Sequence, residues 1–306
     1  MFNFITILQS IMKTLSSLKD IPALSKSNVH IRNEIELLNK INSLITLGSR
    51  SLQIVTDFDH TLTRHTLDNG NTVRTSFGMF TDCPSVPQKY RDEDLRLSNI
   101  YKPIECDGTM SVEEKTKHMV DWYVAANNLL KGLTFPRNEL KIIGASMKEH
   151  YRTGVKEMID WSEQKSVPVL VFSAGLGDSV VAALEGSNFL RPNVKVVANF
   201  LAMDGDDKIV GIKGDIIHTL NKNETAIHDT EYFDLVQSRA GALLLGDNLG
   251  DAAMAAGMPH CRHVLRVGFL SRNVDENLQN YLEKFDIVLT EEHSMDVPNS
   301  ILELIL

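Results

Sequence analysis

Cysteine is scarce in this chain of 306 residues, and basic residues are fewer than acidic ones. The three cysteines, Cys83, Cys106 and Cys261, are scattered and odd in number, which argues against a disulfide framework and indicates a reducing compartment. The net charge of −9 argues against a nucleic-acid polymer as partner, because neutralising phosphates needs clustered lysine and arginine. A small anionic substrate stays compatible with this charge if a metal supplies positive charge locally. We therefore expect a cytoplasmic protein.

Long hydrophobic runs are also missing, so no membrane span is expected. The apolar stretch at residues 2–8 is too short to cross a bilayer. It also lacks the basic opening of a secretory signal and the arginines of a transit peptide. Residues 1–27 are therefore predicted to form an N-terminal extension that can be disordered. An alternative, in which residues 1–19 dock on a membrane or a partner, stays open.

Short apolar strands alternate with helical stretches in the second half of the chain, which indicates a parallel sheet with right-handed crossovers. The first strand, 52–55, lies far upstream and follows a helix expected over 29–47. The later strands are expected at 167–172, 194–200, 242–245, 263–268 and 286–290. Helices are expected over 154–165 and 177–186, after residue 251, between the last two strands and at the C-terminus. The fold class is therefore α/β, with a Rossmann-like parallel sheet.

The segment between the first strand and the second half is different. Residues 64–110 are polar and irregular, with several prolines and no strand-like run. The sequence Ser111-Val-Glu-Glu114 is a capping box that begins a helix ending near Lys131, and another helix is expected over 137–149. We therefore predict a catalytic core formed by 28–64 and 151–306, with a mostly helical cap at 65–150.

Two carboxylates, Asp57 and Asp59, follow the first strand with one residue between them. Alternate residues of a strand share a face, and two acids on one face are costly unless a cation such as Mg²⁺ lies between them. This arrangement suits phosphoryl transfer, with Asp57 as the nucleophile and Asp59 as the general acid and base. An Asp-rich turn without chemistry is the alternative for this motif alone.

Polar residues also follow two later strands and one loop. Asp247 offers Mg²⁺ a second carboxylate, and Asp251 is expected to orient a ligand or water; an acidic helix N-terminus is the alternative for both. Ser173 can hold phosphate oxygens, although a Ser-Ala-Gly sequence alone often begins a helix. Lys222 would neutralise charge on the transferred group, whereas a loop lysine alone is usually solvated.

The order of these residues resembles the haloacid dehalogenase superfamily of phosphohydrolases. A closer resemblance, from about residue 28 to the C-terminus, is to cytosolic 5′-nucleotidase III, the pyrimidine 5′-nucleotidase family. The segments that carry it are 52–59 (LQIVTDFD), 112–115 (VEEK), 119–123 (MVDWY), 172–178 (FSAGLGD), 192–199 (PNVKVVAN), 214–218 (GDIIH) and 230–233 (TEYF).

The resemblance implies a Mg²⁺-dependent 5′-nucleotidase that removes phosphate from nucleoside 5′-monophosphates through an aspartyl-phosphate. Its family pattern places the metal on the Asp57 carboxylate, the Asp59 carbonyl and the Asp247 carboxylate. It places phosphate contacts on Ser173, Ala174 and Lys222. In the cap it implies that Glu105 reads the base and that Trp122 can stack on it. Family members are often monomers, so a monomer is expected.

Two positions depart from the pattern of the human-type pyrimidine enzymes. Ala126 replaces a serine near the base, and Phe77 replaces a histidine of the cap. Added aromatic surface favours a cationic purine, so 7-methyl-GMP stays open beside pyrimidine substrates such as CMP and UMP. Three other readings also stay open: a phosphatase for another small metabolite, a nucleotide phosphotransferase, and a non-catalytic nucleotide-binding module.

Overall fold

The computed structural model describes residues 14–107, 110–222, 231–256 and 260–306. Within these residues the strands are β1 (Val29–Ile31), β2 (Leu52–Thr56), β3 (Val169–Leu176), β4 (Val194–Asn199), β5 (Leu201–Met203), β6 (Ile209–Ile212), β7 (Gly241–Gly246), β8 (His263–Leu270) and β9 (Ile287–Thr290). The helices of the same residues are α1 (Glu34–Leu47), α2 (Ser76–Thr81), α3 (Gln88–Cys106), α4 (Val112–Leu130), α5 (Arg137–Ser146), α6 (Val155–Gln164), α7 (Gly177–Gly186), α8 (Glu231–Val236), α9 (Val274–Lys284) and α10 (Asp296–Ile305).

A mostly parallel sheet organises the chain. Its seven strands lie in the order β1-β9-β8-β7-β2-β3-β4. Of these seven, β1 pairs antiparallel with β9, and the other neighbours pair in parallel. The predicted α/β fold with a Rossmann-like parallel sheet is confirmed. The sequence analysis does not predict the small antiparallel hairpin formed by β5 and β6.

Both faces of the sheet are covered, which explains why the central strands β2 and β7 are buried at every position rather than at every second one. In β2, Ile54 belongs to the core on one face and Val55 to the core on the other. Helices α1, α6, α7 and α10 contribute to the first core, and α8 and α9 contribute to the second.

The expected helix over 29–47 is wrong at its beginning. Val29–Ile31 forms the edge strand β1, and the helix α1 starts only at Glu34. The boundary lies at Asn33, whose side-chain oxygen accepts hydrogen bonds from the backbone N–H groups of Ile35 and Glu36. An asparagine N-cap satisfies amide groups that would otherwise lack partners, and this local bond determines where the helix begins.

Part of the predicted N-terminal extension contributes to the core, which corrects the expectation of disorder for residues 14–27. Ile21 and Leu24 are buried in the main core beneath two 3₁₀ turns. The backbone N–H and carbonyl of Leu15 both bond to the side chain of Asn42 in α1, at 2.7 and 3.0 Å. Residues 1–13, which include the apolar stretch 2–8, lie outside the described residues.

The segment predicted to be irregular, 64–110, contains helices α2 and α3, and Pro103 lies inside α3. Few residues of α3 are buried, so its apolar pattern is weak. The capping box of Ser111 and Glu114 is confirmed, with both reciprocal bonds present. The helix expected over 137–149 divides into α5 and a 3₁₀ turn, Met147–His150. A 3₁₀ turn, Leu249–Ala253, replaces the helix expected after Asp251.

The division into a core and a cap at residues 64 and 151 stays a prediction, and the helices α2 to α5 lie within the predicted cap. Helix α5 approaches α7 very closely at Gly144. A Cβ atom at this position would lie 2.4 Å from the Ala182 carbonyl oxygen, so a side chain could enter only if the two helices separated. Among the described residues no helix is both long enough and apolar enough to cross a membrane.

The close contact of α5 with α7 at Gly144 predicts that a side chain at this position destabilises the protein. Gly144→Ala should lower the free energy of unfolding by about 1–3 kcal/mol, because backbone atoms of α7 cannot move aside without strain. The matched control is Gly205→Ala, since a Cβ there meets no atom within 4 Å. Urea denaturation of both variants measures the difference. Equal stability of the two variants would contradict the close helix packing.

Candidate active site

The carboxyl ends of three adjacent parallel strands bring the sequence-predicted residues together. Asp57 follows β2, Asp247 follows β7, and Ser173 lies near the end of β3. The backbone N–H of Asp57 donates to the carbonyl of Leu245 at 3.0 Å, which continues the β2–β7 ladder into the site. Ligands of open α/β sheets bind at this edge, so the topology alone places the acids in one crevice.

Lys222 joins two of the carboxylates. Its Nζ donates to Oδ1 of Asp57 and, at 2.7 Å, to Oδ1 of Asp251, and all three side chains are buried. Burial lowers the pKa of Lys222, but the charges of Asp251 and Asp57 outweigh this effect and raise it above its ordinary value. The lysine therefore stays charged, which excludes the solvated loop lysine left open by the sequence.

Asp247 completes an acidic cluster. One oxygen atom from each of Asp57, Asp247 and Asp251 lies within 4.8 Å of the others. Burial and the neighbouring charges of Asp57 and Asp251 raise the pKa of Asp247 well above its ordinary value. Three carboxylates opposite one ammonium group require further positive charge, and their hard oxygen atoms are the ligands that Mg²⁺ prefers. The donor set therefore fits this ion.

Asp251 has a different role from the other two acids. Its Oδ2 accepts the backbone N–H groups of Asp247 and Asn248 at 3.1 and 2.9 Å, while its Oδ1 accepts from Lys222. Both of its oxygens thus have protein donors. We take Asp57 and Asp247 as the better metal ligands and Asp251 as the residue that orients Lys222 and the loop after β7, although its oxygen lies close enough to contribute.

Ser173 and Ala174 lie in β3, because this strand continues to Leu176 through an irregularity in its pairing with β4. The plain helix entry considered for Ser173 is therefore wrong. The Ser173 hydroxyl accepts the N–H of Gly175 at 3.0 Å. The carbonyl of Ala174 accepts from Nδ2 of the buried Asn199 at 2.8 Å.

Asn199 connects this strand end to the loop that carries Lys222. Its Oδ1 accepts the N–H of Ile217 at 2.9 Å, and its Nδ2 also donates to the Ile217 carbonyl at 2.7 Å. Farther along the loop, Nδ1 of His218 accepts the N–H of Leu220 at 3.2 Å, so the neutral ring carries its proton on Nε2. Sequence reasoning missed Asn199, although it ends a predicted strand at the active edge of the sheet.

The Asp59 carboxyl is held by Ser76, the first residue of α2. Its Oδ1 accepts the backbone N–H of Ser76 at 2.8 Å, and its Oδ2 accepts the Ser76 hydroxyl at 2.6 Å. Burial raises the pKa of Asp59 to about 6, while the two bonds from Ser76 lower it. Protonated and ionised forms are therefore both populated near neutral pH, which a group that donates and accepts protons requires.

A buried arginine fixes the loop after Asp59. The Arg152 guanidinium donates to the carbonyls of Thr61 at 2.8 Å, of His60 at 2.7 Å and of Glu292. It also lies 3.9 Å from the centre of the Phe269 ring, a cation–π contact. Sequence reasoning missed Arg152, because no motif distinguishes it from other arginines.

The predicted cap contains Glu105 and the aromatic residues Phe77 and Tyr123. Glu105, near the end of α3, is half-buried beside Thr219, and desolvation raises the pKa of its carboxyl. The Phe77 and Tyr123 rings meet edge to face with centres 6.3 Å apart, and His218 lies 6.3 Å from Tyr123 on another side. Burial, followed by the charges of Glu105, Asp59 and Asp57, raises the pKa of Tyr123, and the charge of Lys222 opposes this shift. Tyr123 thus faces the site, which the sequence analysis missed.

Trp122, the residue expected to stack on the base, stacks on Tyr101, with ring centres 5.7 Å apart and planes 11° apart. It also contacts Tyr123 edge to face at 6.0 Å. Ala126 lies one helical turn after Trp122 and is half-buried. The contacts of Trp122, Ala126 and Phe77 with a base stay predictions.

Comparison with known proteins identifies the fold and the family of this chain. A solved structure of a probable phosphoserine phosphatase from Vibrio cholerae has 12% sequence identity and a TM-score of 0.50, covering 83% of this chain and 65% of the other. This likeness shows that the two chains share a fold. The chain belongs to the pyrimidine 5′-nucleotidase (UMPH-1) family, whose sequence model matches residues 60–306.

Two relatives are considerably closer. The 7-methylguanosine phosphate-specific 5′-nucleotidase of Drosophila melanogaster is 40% identical over 289 residues, covering 94% of this chain and 90% of the relative. The crystal structure of cytosolic 5′-nucleotidase IIIB bound to cytidine is 40% identical with a TM-score of 0.90, covering 94% of this chain and 97% of the other. The family and the enzymatic character expected from the sequence are confirmed.

The acidic cluster predicts how the protein responds to a metal. An acid with a raised pKa destabilises the native state as pH rises through that pKa, because its ionised form is unfavourable there. In EDTA at pH 8, Asp247→Asn should therefore be more stable than the wild type. Mg²⁺ at about ten times its Kd should stabilise the wild type by about 1.4 kcal/mol and the variant much less.

Thermal unfolding with and without Mg²⁺ measures both effects. The control Asp206→Asn removes an exposed acid on the β5–β6 turn and should respond to Mg²⁺ as the wild type does. If Asp247→Asn and the wild type gain the same Tm from Mg²⁺, the cluster does not bind the ion.

Proposed function

We propose that this protein hydrolyses nucleoside 5′-monophosphates to nucleoside and phosphate with the help of Mg²⁺. The observation that carries the proposal is the arrangement of the buried Asp57 and Lys222 with the half-buried Asp247 at the carboxyl edge of the sheet, with Asp59 two residues from the nucleophile. The family match supports a nucleotide as the substrate.

In the proposed reaction, a carboxylate oxygen of Asp57 attacks phosphorus and the bond to the 5′-oxygen breaks. Asp59 gives its proton to that oxygen, so the nucleoside leaves as an alcohol. Asp59 then takes a proton from water, whose oxygen attacks the aspartyl-phosphate and releases inorganic phosphate. Lys222 neutralises charge on Asp57 and on the transferred group, and Ser173 and the backbone at Ala174 hold phosphate oxygens. Asp57, the Asp59 carbonyl and Asp247 would hold Mg²⁺, which would supply the remaining positive charge.

For the base, we propose that Glu105 is the recognition group and that the aromatic residues Phe77 and Tyr123 line its pocket, with Trp122 and Ala126 close by. A half-buried carboxylate with a raised pKa gains from a cationic partner, and 7-methylguanine carries a positive charge. Aromatic faces favour the same kind of ring. The names of the Drosophila relative and of the cytidine-bound structure support 7-methyl-GMP and CMP as the first substrates to test. The solved relative's description as cytosolic supports a cytoplasmic location.

The proposed nucleophile and acid can be tested directly. Asp57→Asn should abolish phosphate release, and Asp59→Asn should lower it about 10²–10⁴-fold, because general acid–base catalysis contributes that much. Phosphate release from CMP, UMP, 7-methyl-GMP, AMP and sugar phosphates, with and without Mg²⁺, measures both variants and the substrate class. Activity that persists in Asp57→Asn, or that ignores EDTA, would overturn the proposal. Preferred turnover of a sugar phosphate would favour a phosphatase for another metabolite.

The role of Glu105 predicts a substrate-dependent loss. Glu105→Gln should lower kcat/KM for 7-methyl-GMP about 10–100-fold, because a hydrogen bond to a charged group contributes about 1.5–3 kcal/mol. The loss for CMP should be smaller, and p-nitrophenyl phosphate, which has no base, should be unaffected. Glu113→Gln removes an exposed cap acid and serves as the control. Equal losses on all three substrates would show that Glu105 does not read the base.

A further inference from the structure

One residue of the cap holds both oxygens of the Asp59 carboxyl. Ser76 is fully buried, and its backbone N–H and its hydroxyl donate to Oδ1 and Oδ2 at 2.8 and 2.6 Å. Each carboxylate oxygen can accept at least two hydrogen bonds, so the contact leaves room for a proton and for a leaving oxygen. The two hydrogen bonds from Ser76 fix the plane of the Asp59 carboxyl and leave its oxygens able to carry and transfer a proton.

The direction in which the Ser76 hydroxyl donates is determined by a backbone group of β3. The N–H of Leu176 donates to the Ser76 oxygen at 3.1 Å, so the single hydroxyl proton is left for Asp59. The neighbouring position, Gly175, has to lack a side chain. A Cβ atom there would lie 1.8 Å from the Ser76 oxygen and 2.9 Å from Oδ2 of Asp59.

The hydroxyl is not needed to begin the helix. Thr75 is the N-cap of α2, and its side-chain oxygen accepts the N–H of Gly78 at 3.3 Å. The charges of Lys222 and Lys102 both attract the Asp59 carboxylate. The two hydrogen bonds from Ser76 hold the carboxyl in one orientation against this attraction.

We propose that Ser76 is a positioning residue that aims the Asp59 carboxyl for proton transfer to the leaving oxygen. This inference rests on the proposed function of Asp59. In the same step the Asp57–phosphorus bond forms, the phosphorus–oxygen ester bond breaks, and the proton moves from Asp59 to the departing oxygen. Ser76 exchanges no proton with the substrate and acts only through Asp59.

The test compares leaving groups. A nucleoside 5′-oxygen leaves poorly without a proton, whereas p-nitrophenolate leaves without help. Ser76→Ala should therefore lower kcat/KM for CMP or 7-methyl-GMP about tenfold to a hundredfold, and lower kcat/KM for p-nitrophenyl phosphate less than about twofold. Thr75→Ala, which weakens the start of α2 but leaves Asp59 untouched, should lower neither. Ser76→Gly removes the same hydroxyl and replaces Ser76→Ala if that variant does not fold.

A double-mutant cycle separates positioning from structure. In an Asp59→Asn background, Ser76→Ala should cause no further loss, because Ser76 acts only through the carboxyl. Additive losses, equal losses on both kinds of substrate, or no loss at all would overturn the inference. If Asp57→Asn and Asp59→Asn inactivate the enzyme while Ser76→Ala does not, the inference fails and the proposed function stands. If Asp57→Asn stays active, the proposed function itself fails.

Discussion

The buried ion pair of Lys222 with Asp57 and Asp251 is the constraint on which the remaining structure depends. Charged groups without water are costly, so each member of this group requires partners from different parts of the chain. Asp251 is satisfied by Lys222 and by the backbone of the loop after β7. Lys222 is brought in by a loop that Asn199 ties to the end of β3. The acids still outnumber the cation, and their oxygen atoms lie close enough together to hold a divalent ion.

The short helix α2 of the predicted cap contacts this cluster, and its first two residues have different partners. Ser76 bonds to Asp59, which belongs to the chemical half of the site. Phe77 contacts Tyr123, which belongs to the side where a base would lie. Because both residues belong to the same turn of α2, the proposed recognition of the base and the proposed orientation of the acid share one structural element. On this proposal, a small displacement of α2 would affect specificity and rate together.

The sequence predicts the sheet and its acids well, because each central strand is a short apolar run followed directly by a polar motif. Asp57, Asp247, Ser173 and Lys222 come together as this edge rule requires. The segment of the predicted cap is predicted less well. Helix α3 buries few side chains, so its polar sequence shows no clear helical period of apolar residues. The roles of Ser76 and Arg152 could not be predicted from the sequence for a different reason. Their partners lie 17 and about 90 residues away, and only the folded chain brings them together.

The edge pairing of β1 with β9 has a consequence for biosynthesis. Asn28, just before β1, bonds to the carbonyl of Thr290 across 262 residues of sequence, so residue 290 must leave the ribosome before this edge of the sheet can form. Until then, β1 has no partner strand, and nascent chains with an unpaired strand are prone to aggregate. Contacts of such long sequence separation also slow folding. During most of synthesis, β1 therefore stays outside the sheet that it later completes.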